Sequence, residues 1–206
     1  MKSPLRYQIS DYDCGPTSML NAVSFLFERE QIPPELIRNI MLFSLDAFSP
    51  DGAFGKSGTS CTAMMFLSNW LSGFGQAGRL PITTAYYTGD RVYMGQQSTI
   101  TDALHRGGAV VVRLFLDEWH YVLLTGERDG RVYLFDPYYV TEDFDDPSVV
   151  TDVDHPFAYN RVLPQSMLNG EAQTLYAFAE PEGREAVVLY NTETMLTPDN
   201  TIEYMI

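Results

Sequence analysis

Apolar residues recur at helical spacing through the first half of this chain, and β-branched runs replace them in the second half. That segregation constrains the fold more than any other feature. Helices gathered at one end and strands at the other predict an α+β domain, with a helical N-terminal half packed on a C-terminal antiparallel sheet, rather than alternating βαβ units. The first helix is expected just after Cys14, with Pro16 in its first turn and Met19, Leu20, Val23 and Phe27 on one face. A second is expected over 34–43, opened by Pro33-Pro34, and 47–60 reads as a Gly/Ser loop. A third is expected over 61–71, capped by Thr59 or Ser60 and ended by Gly73-Phe74-Gly75. Residues 99–105 make a short helix before Gly107-Gly108.

Strands are expected over 109–116, 121–125 and 131–135, then over 175–179 and 186–190. Asp129-Gly130 between two apolar runs signals a hairpin. Residues 141–156, rich in Asp and Pro, read as a surface loop, and the last fifteen carry no assignment. Neither an internal repeat nor a flexible linker divides the 206 residues, so residues 1–206 are expected to form one domain.

The formal net charge is −14, which disfavours nucleic acid and anionic membrane surfaces as partners and favours solubility and a basic or neutral substrate. No stretch is apolar enough for membrane insertion, and the N-terminus has no signal-peptide core. Two cysteines make no disulfide framework, so both thiols are expected free in a cytoplasmic setting. The sequence is silent on oligomeric state.

Cys14, in Tyr12-Asp13-Cys14-Gly15-Pro16, falls where a helix begins. Unpaired N–H groups and the helix dipole favour negative charge there, so a thiol at that place is expected to ionise readily; the bland alternative is a small buried apolar residue. Asp13 is expected to point away from the sulfur. A thiolate nucleophile needs a base, and the chain has three histidines. His105 sits near a helix C-terminus and reads as structural, and His155 lies in the acidic loop and reads as solvated. His120 heads an apolar strand, where a polar ring is as readily functional as structural.

Asp136 ends the next strand and is the candidate to orient that imidazole, unless it only initiates a turn before Pro137. Register decides whether it can reach. A three-residue loop 128–130, bulged at Gly130, pairs Glu127 with Arg131 and puts His120 opposite Tyr138. Asp136 is then a diagonal neighbour on the same face, about 7–8 Å away along the backbone. A two-residue turn would place the two side chains on opposite faces unless something equivalent restored the register. Gln8, six residues before Cys14, carries an amide that could donate to an oxyanion together with the Cys14 N–H.

Taken together, Gln8, Asp13-Cys14-Gly15-Pro16-Thr17-Ser18, His120-Tyr121-Val122-Leu123 and Asp136-Pro137 resemble the bacteriocin-processing peptidases that remove double-glycine leaders. The six-residue Gln-to-Cys step and the sixteen-residue His-to-Asp step both match that family's pattern, over roughly residues 5–140. Residues 161–168 resemble the family's late helix only loosely. The resemblance implies a papain-like fold, peptide-bond cleavage without a cofactor, and a peptide or protein substrate such as a leader or small peptide. It assigns Cys14 as nucleophile, His120 as general base, Asp136 as orienter and Gln8 as oxyanion donor. Two alternatives share the same sequence: an acyl or peptidyl transferase using the same thiol chemistry, and a non-catalytic binding module on the same fold.

Among the remaining candidates, Cys61 is expected in the core with Met64, Met65 and Leu67. No Cys/His spacing suits zinc, and Asp145-Asp146 with Asp152 and Asp154 lack calcium-loop spacing, so no metal is expected. The aromatic run 135–139 can line a cleft or simply pack. Trp119 is placed to shield the imidazole of His120.

Overall fold

The computed structural model describes residues 1–197. Seven antiparallel strands form one sheet: β1 (Ile82–Thr88), β2 (Ala109–Leu116), β3 (Glu118–Arg128), β4 (Arg131–Phe135), β5 (Val150–Thr151), β6 (Arg161–Pro164) and β7 (Glu185–Asn191), in the order β1-β7-β2-β3-β4-β6-β5. Three helices, α1 (Cys14–Leu26), α2 (Pro34–Ser44) and α3 (Cys61–Gln76), cover one face, and their apolar residues share a core with Val111, Tyr121, Leu123, Phe135 and Leu189. The short α4 (Thr99–His105) covers the other face together with the chain around Leu168, Tyr176 and Phe178. The fold is thus α+β, with both sheet faces buried.

α1 is buried nearly all round, because it is wedged between the sheet and α2. Its internal polar groups are answered. The Ser18 hydroxyl donates to the Tyr121 carbonyl at 2.9 Å, and the Asn21 amide exchanges two hydrogen bonds with the backbone of Arg6. Asn21 therefore ties the N-terminal segment along the helix, and Leu5 and Gln8 donate onward from their backbone to Pro156 and Pro137.

Several expectations need correction. Gly73 and Gly75 do not end the third helix, which runs to Gln76. A Cβ on Gly75 would lie 1.9 Å from the Ile82 carbonyl oxygen, so this glycine lets the helix approach β1. β1 itself, read as no element in the sequence, is an edge strand that among the described residues pairs only with β7. The apolar run 175–179 is not a strand. It makes a single bridge from Ala177 to Phe115, because Tyr176 and Ala179 take left-handed φ of 56° and 58°. Residues 161–168 are not one helix: β6 occupies the first half and pairs with β4, and a four-residue turn of helix, Gln165–Leu168, follows. Cys61 is exposed at the first position of α3, since the buried stripe begins at Ala63 and Met64.

The hairpin carries the correction that matters most. Arg128 pairs with Arg131 across a two-residue turn, with Asp129 and Gly130 at φ 54° and 74°. Left alone, that turn would separate His120 and Asp136. The ladder shifts between Leu124 and Gly126, where Thr125 is an extra residue, and resumes with Leu124 opposite Leu134 and Leu123 opposite Phe135. The bulge sits in the strand instead of in the turn. Carried on, the restored register places His120 opposite Tyr138, with Asp136 as its diagonal neighbour.

No helix among the described residues is long and apolar enough to cross a membrane. Residues 198–206, most of the stretch left without assignment above, lie outside the described residues.

Candidate active site

Cys14 opens α1 and is buried. The first-turn N–H groups of a helix have no intrahelical acceptor, so its own N–H stands among them. The Asp13 carboxylate makes no cap to the helix. It turns back to accept from the backbone of Ile9 and Ser10 and from the Ser10 hydroxyl, which removes its charge from the helix start.

His120 stands 6% exposed near the start of β3, and its Nε2 lies 2.8 Å from Asp136 Oδ1. The Cys14 thiol is the other side chain that acts on this ring, and it favours the ring's charge. With Nε2 turned to the carboxylate, Nδ1 is the ring atom left for sulfur. Burial is the largest single influence on this imidazole and disfavours its charge. The charge and hydrogen bond of Asp136, joined by those of Cys14, outweigh it and raise the pKa to about 10. Burial likewise disfavours the Asp136 carboxylate, but His120, Tyr176 and the Tyr138 N–H together hold it below its usual range.

The support for Asp136 was not legible in the sequence. The Tyr176 hydroxyl donates to Asp136 Oδ2 at 2.7 Å, and the Tyr138 N–H donates to Oδ1 at 2.8 Å. The Asn160 amide grips the backbone of Asp136 from both sides, accepting from its N–H at 2.7 Å and donating to its carbonyl at 2.8 Å. Buried Arg161 donates to the carbonyls of Asn160 and Val140, which fixes the loop after β4. Tyr176 sits in a run that reads locally as a strand, and no short-range signal marks Asn160 or Arg161.

Replacing Tyr176 by Phe should leave one carboxylate oxygen buried without its donor. The expected loss is about 2 kcal/mol of unfolding free energy, measured by urea titration. An unchanged midpoint would mean that Asp136 Oδ2 finds another partner.

Gln8 lines the same cavity as His120. Its Nε2 donates to the Ser10 carbonyl at 2.9 Å, and its Oε1 is buried without a partner. An amide nitrogen carries two protons, so the bond to Ser10 positions the group and leaves one proton for another acceptor. Cys14, His120, Asp136 and Gln8 are thus brought together. His105 pairs with Glu127, and His155 stacks on Tyr159 beside Asp152, both away from the site. Trp119 does not shield the imidazole. Neighbouring residues of a strand face opposite ways, and Trp119 packs on Arg113 and Phe115. Of the aromatic run, Phe135 is core and Tyr138 lines the cavity.

Among the described residues no group of three or more His, Cys, Asp or Glu side chains is placed to share a metal ion. Comparison of the chain with protein-family models and with curated proteins finds no match.

Proposed function

We propose that this chain is a cysteine peptidase with a papain-like arrangement, related to the bacteriocin-processing peptidases that its sequence resembles. The observation that carries this reading is the buried imidazole of His120, held by Asp136 through Nε2 and acted on by the Cys14 thiol. A buried structural histidine needs no sulfur partner, and a buried structural cysteine needs no imidazole.

In this reading His120 takes the thiol proton and stands as imidazolium, whose charge stabilises the thiolate beside it. Sγ attacks the scissile carbonyl carbon, and the carbonyl oxygen becomes an oxyanion facing the Cys14 N–H and the second proton of Gln8 Nε2. Collapse breaks the C–N bond, and His120 gives its proton to the leaving amine. A water then attacks the thioester with His120 as base. The acid is released and the thiol restored.

Selective alkylation tests the reading. Burial alone makes Cys61 the faster thiol, since it is exposed and Cys14 is not. An imidazolium–thiolate pair reverses that order, so iodoacetamide at slightly acid pH should modify Cys14 first, read by peptide mapping. Faster modification of Cys61 with Cys14 untouched would remove the activated nucleophile. Peptide hydrolysis, once found, should also keep its protonated imidazole well above the ordinary histidine range. The alkaline limb of kcat/KM is expected near pH 10, not near 6.5.

A further inference from the structure

The cavity beside His120 has a volume of about 480 Å³. Its walls divide by chemistry. Leu116, Val140 and Phe144 supply an apolar surface, while Asp11, Asp117 and Glu118 supply carboxylates. Among the described residues no lysine or arginine lines it. Arg161 lies behind Phe144, its guanidinium 5.4 Å from the ring centroid and donating to the Asn160 and Val140 carbonyls. None of the three carboxylates takes part in an ion pair or a side-chain hydrogen bond among the described residues.

Two of them owe their place to the β2–β3 connection. Leu116 pairs with Glu118 across the single residue Asp117, which takes φ 59°. So tight a turn keeps both acids within three residues of His120. Gln8, in the same wall, adds an independent sign: its buried Oε1 is an acceptor with no donor. An acidic rim, an apolar wall and an orphan acceptor together suit a ligand with an aliphatic stem, a positive head and N–H groups. The His120–Asp136 pair does not offset the rim, because imidazolium and carboxylate cancel.

We propose that the peptide this site takes is cationic, with a lysine or arginine side chain seated in the cavity beside His120. This rests on the peptidase reading and names its substrate class.

Two measurements test it, one independent of turnover. In a Cys61→Ser background, Cys14 is modified with a cationic methanethiosulfonate, the trimethylammonioethyl reagent, and with its anionic sulfonatoethyl counterpart. Each rate is divided by the rate for N-acetylcysteine. The cationic reagent should be favoured about tenfold at low salt, less at high salt, and the preference should vanish in Asp117→Asn/Glu118→Gln. A normalised ratio of one would overturn the proposal.

In the second measurement, fluorogenic peptides carry Arg, Leu or Glu in turn at positions either side of the scissile bond. At one position kcat/KM should be at least about tenfold higher for Arg than for Leu, and higher again over Glu. Cys14-dependent cleavage indifferent to charge at every position would overturn the cationic class and leave the peptidase reading standing. No cleavage of any peptide, with Cys14 reacting more slowly than the free thiol towards both reagents, would overturn both.

Discussion

Cys14→Ala is expected to fold and to lose peptide hydrolysis by roughly 10⁴-fold or more, because no other thiol stands beside His120 to form the thioester. The fold should tolerate the change. Alanine is the best helix former, and the sulfur donates to no backbone group that holds α1 in place. Ser18 and Asn21 do that through Tyr121 and Arg6. His120→Ala should be nearly as damaging, and the double variant little worse than either, since nucleophile and base act as one unit. Cys14→Ala has a second expected signature. The thiol helps to raise the His120 pKa, so its removal should lower that value from about 10. An NMR titration of the imidazole reads this directly. Substantial activity in Cys14→Ala, with the sulfur absent, would end the thiol mechanism.

Much of the route to this site was legible in sequence because its parts are local. Pro16 and the spacing of Met19, Leu20 and Val23 are enough to start a helix at Cys14, and α4 and β2 begin and end where their punctuation says. The same local logic fails where tertiary pairing overrides it. β1 has no apolar alternation to announce it and exists because β7, a hundred residues on, offers an edge. The run around Tyr176 has strand composition but carries two left-handed residues. The hairpin shows both outcomes at once. Asp129-Gly130 forms the tight turn its chemistry favours, and this forces the compensating residue elsewhere, to Thr125 in β3. The spatial relation of His120 to Asp136 was foreseen, but the mechanism that secures it was not. A bulge inside a strand has no marker comparable to Asp-Gly in a turn. Asn160 and Tyr176 were invisible for a similar reason: each reaches Asp136 from a distant part of the chain, and only the folded chain shows what a buried carboxylate must find.

That dependence makes Asp136→Asn the most revealing single change. An amide nearly matches the carboxylate in shape, so packing around it should survive. The charge that holds His120 protonated would be gone, however, while the burial that opposes protonation would remain. Burial remains the largest influence on this ring and only Cys14 is left to oppose it, so its pKa should fall from about 10. A ring that holds its proton less tightly gives the sulfur less counter-charge, so alkylation of Cys14 at slightly acid pH should slow. Hydrolysis is expected to fall about 10⁴-fold, the scale seen when a triad carboxylate becomes an amide. Stability should fall as well, because the Tyr176 hydroxyl and the Tyr138 N–H now face an amide that accepts through one oxygen only. If instead the His120 pKa stays near 10 in Asp136→Asn, another group carries the charge, and Asp136 serves the turn before Pro137 and not the imidazole.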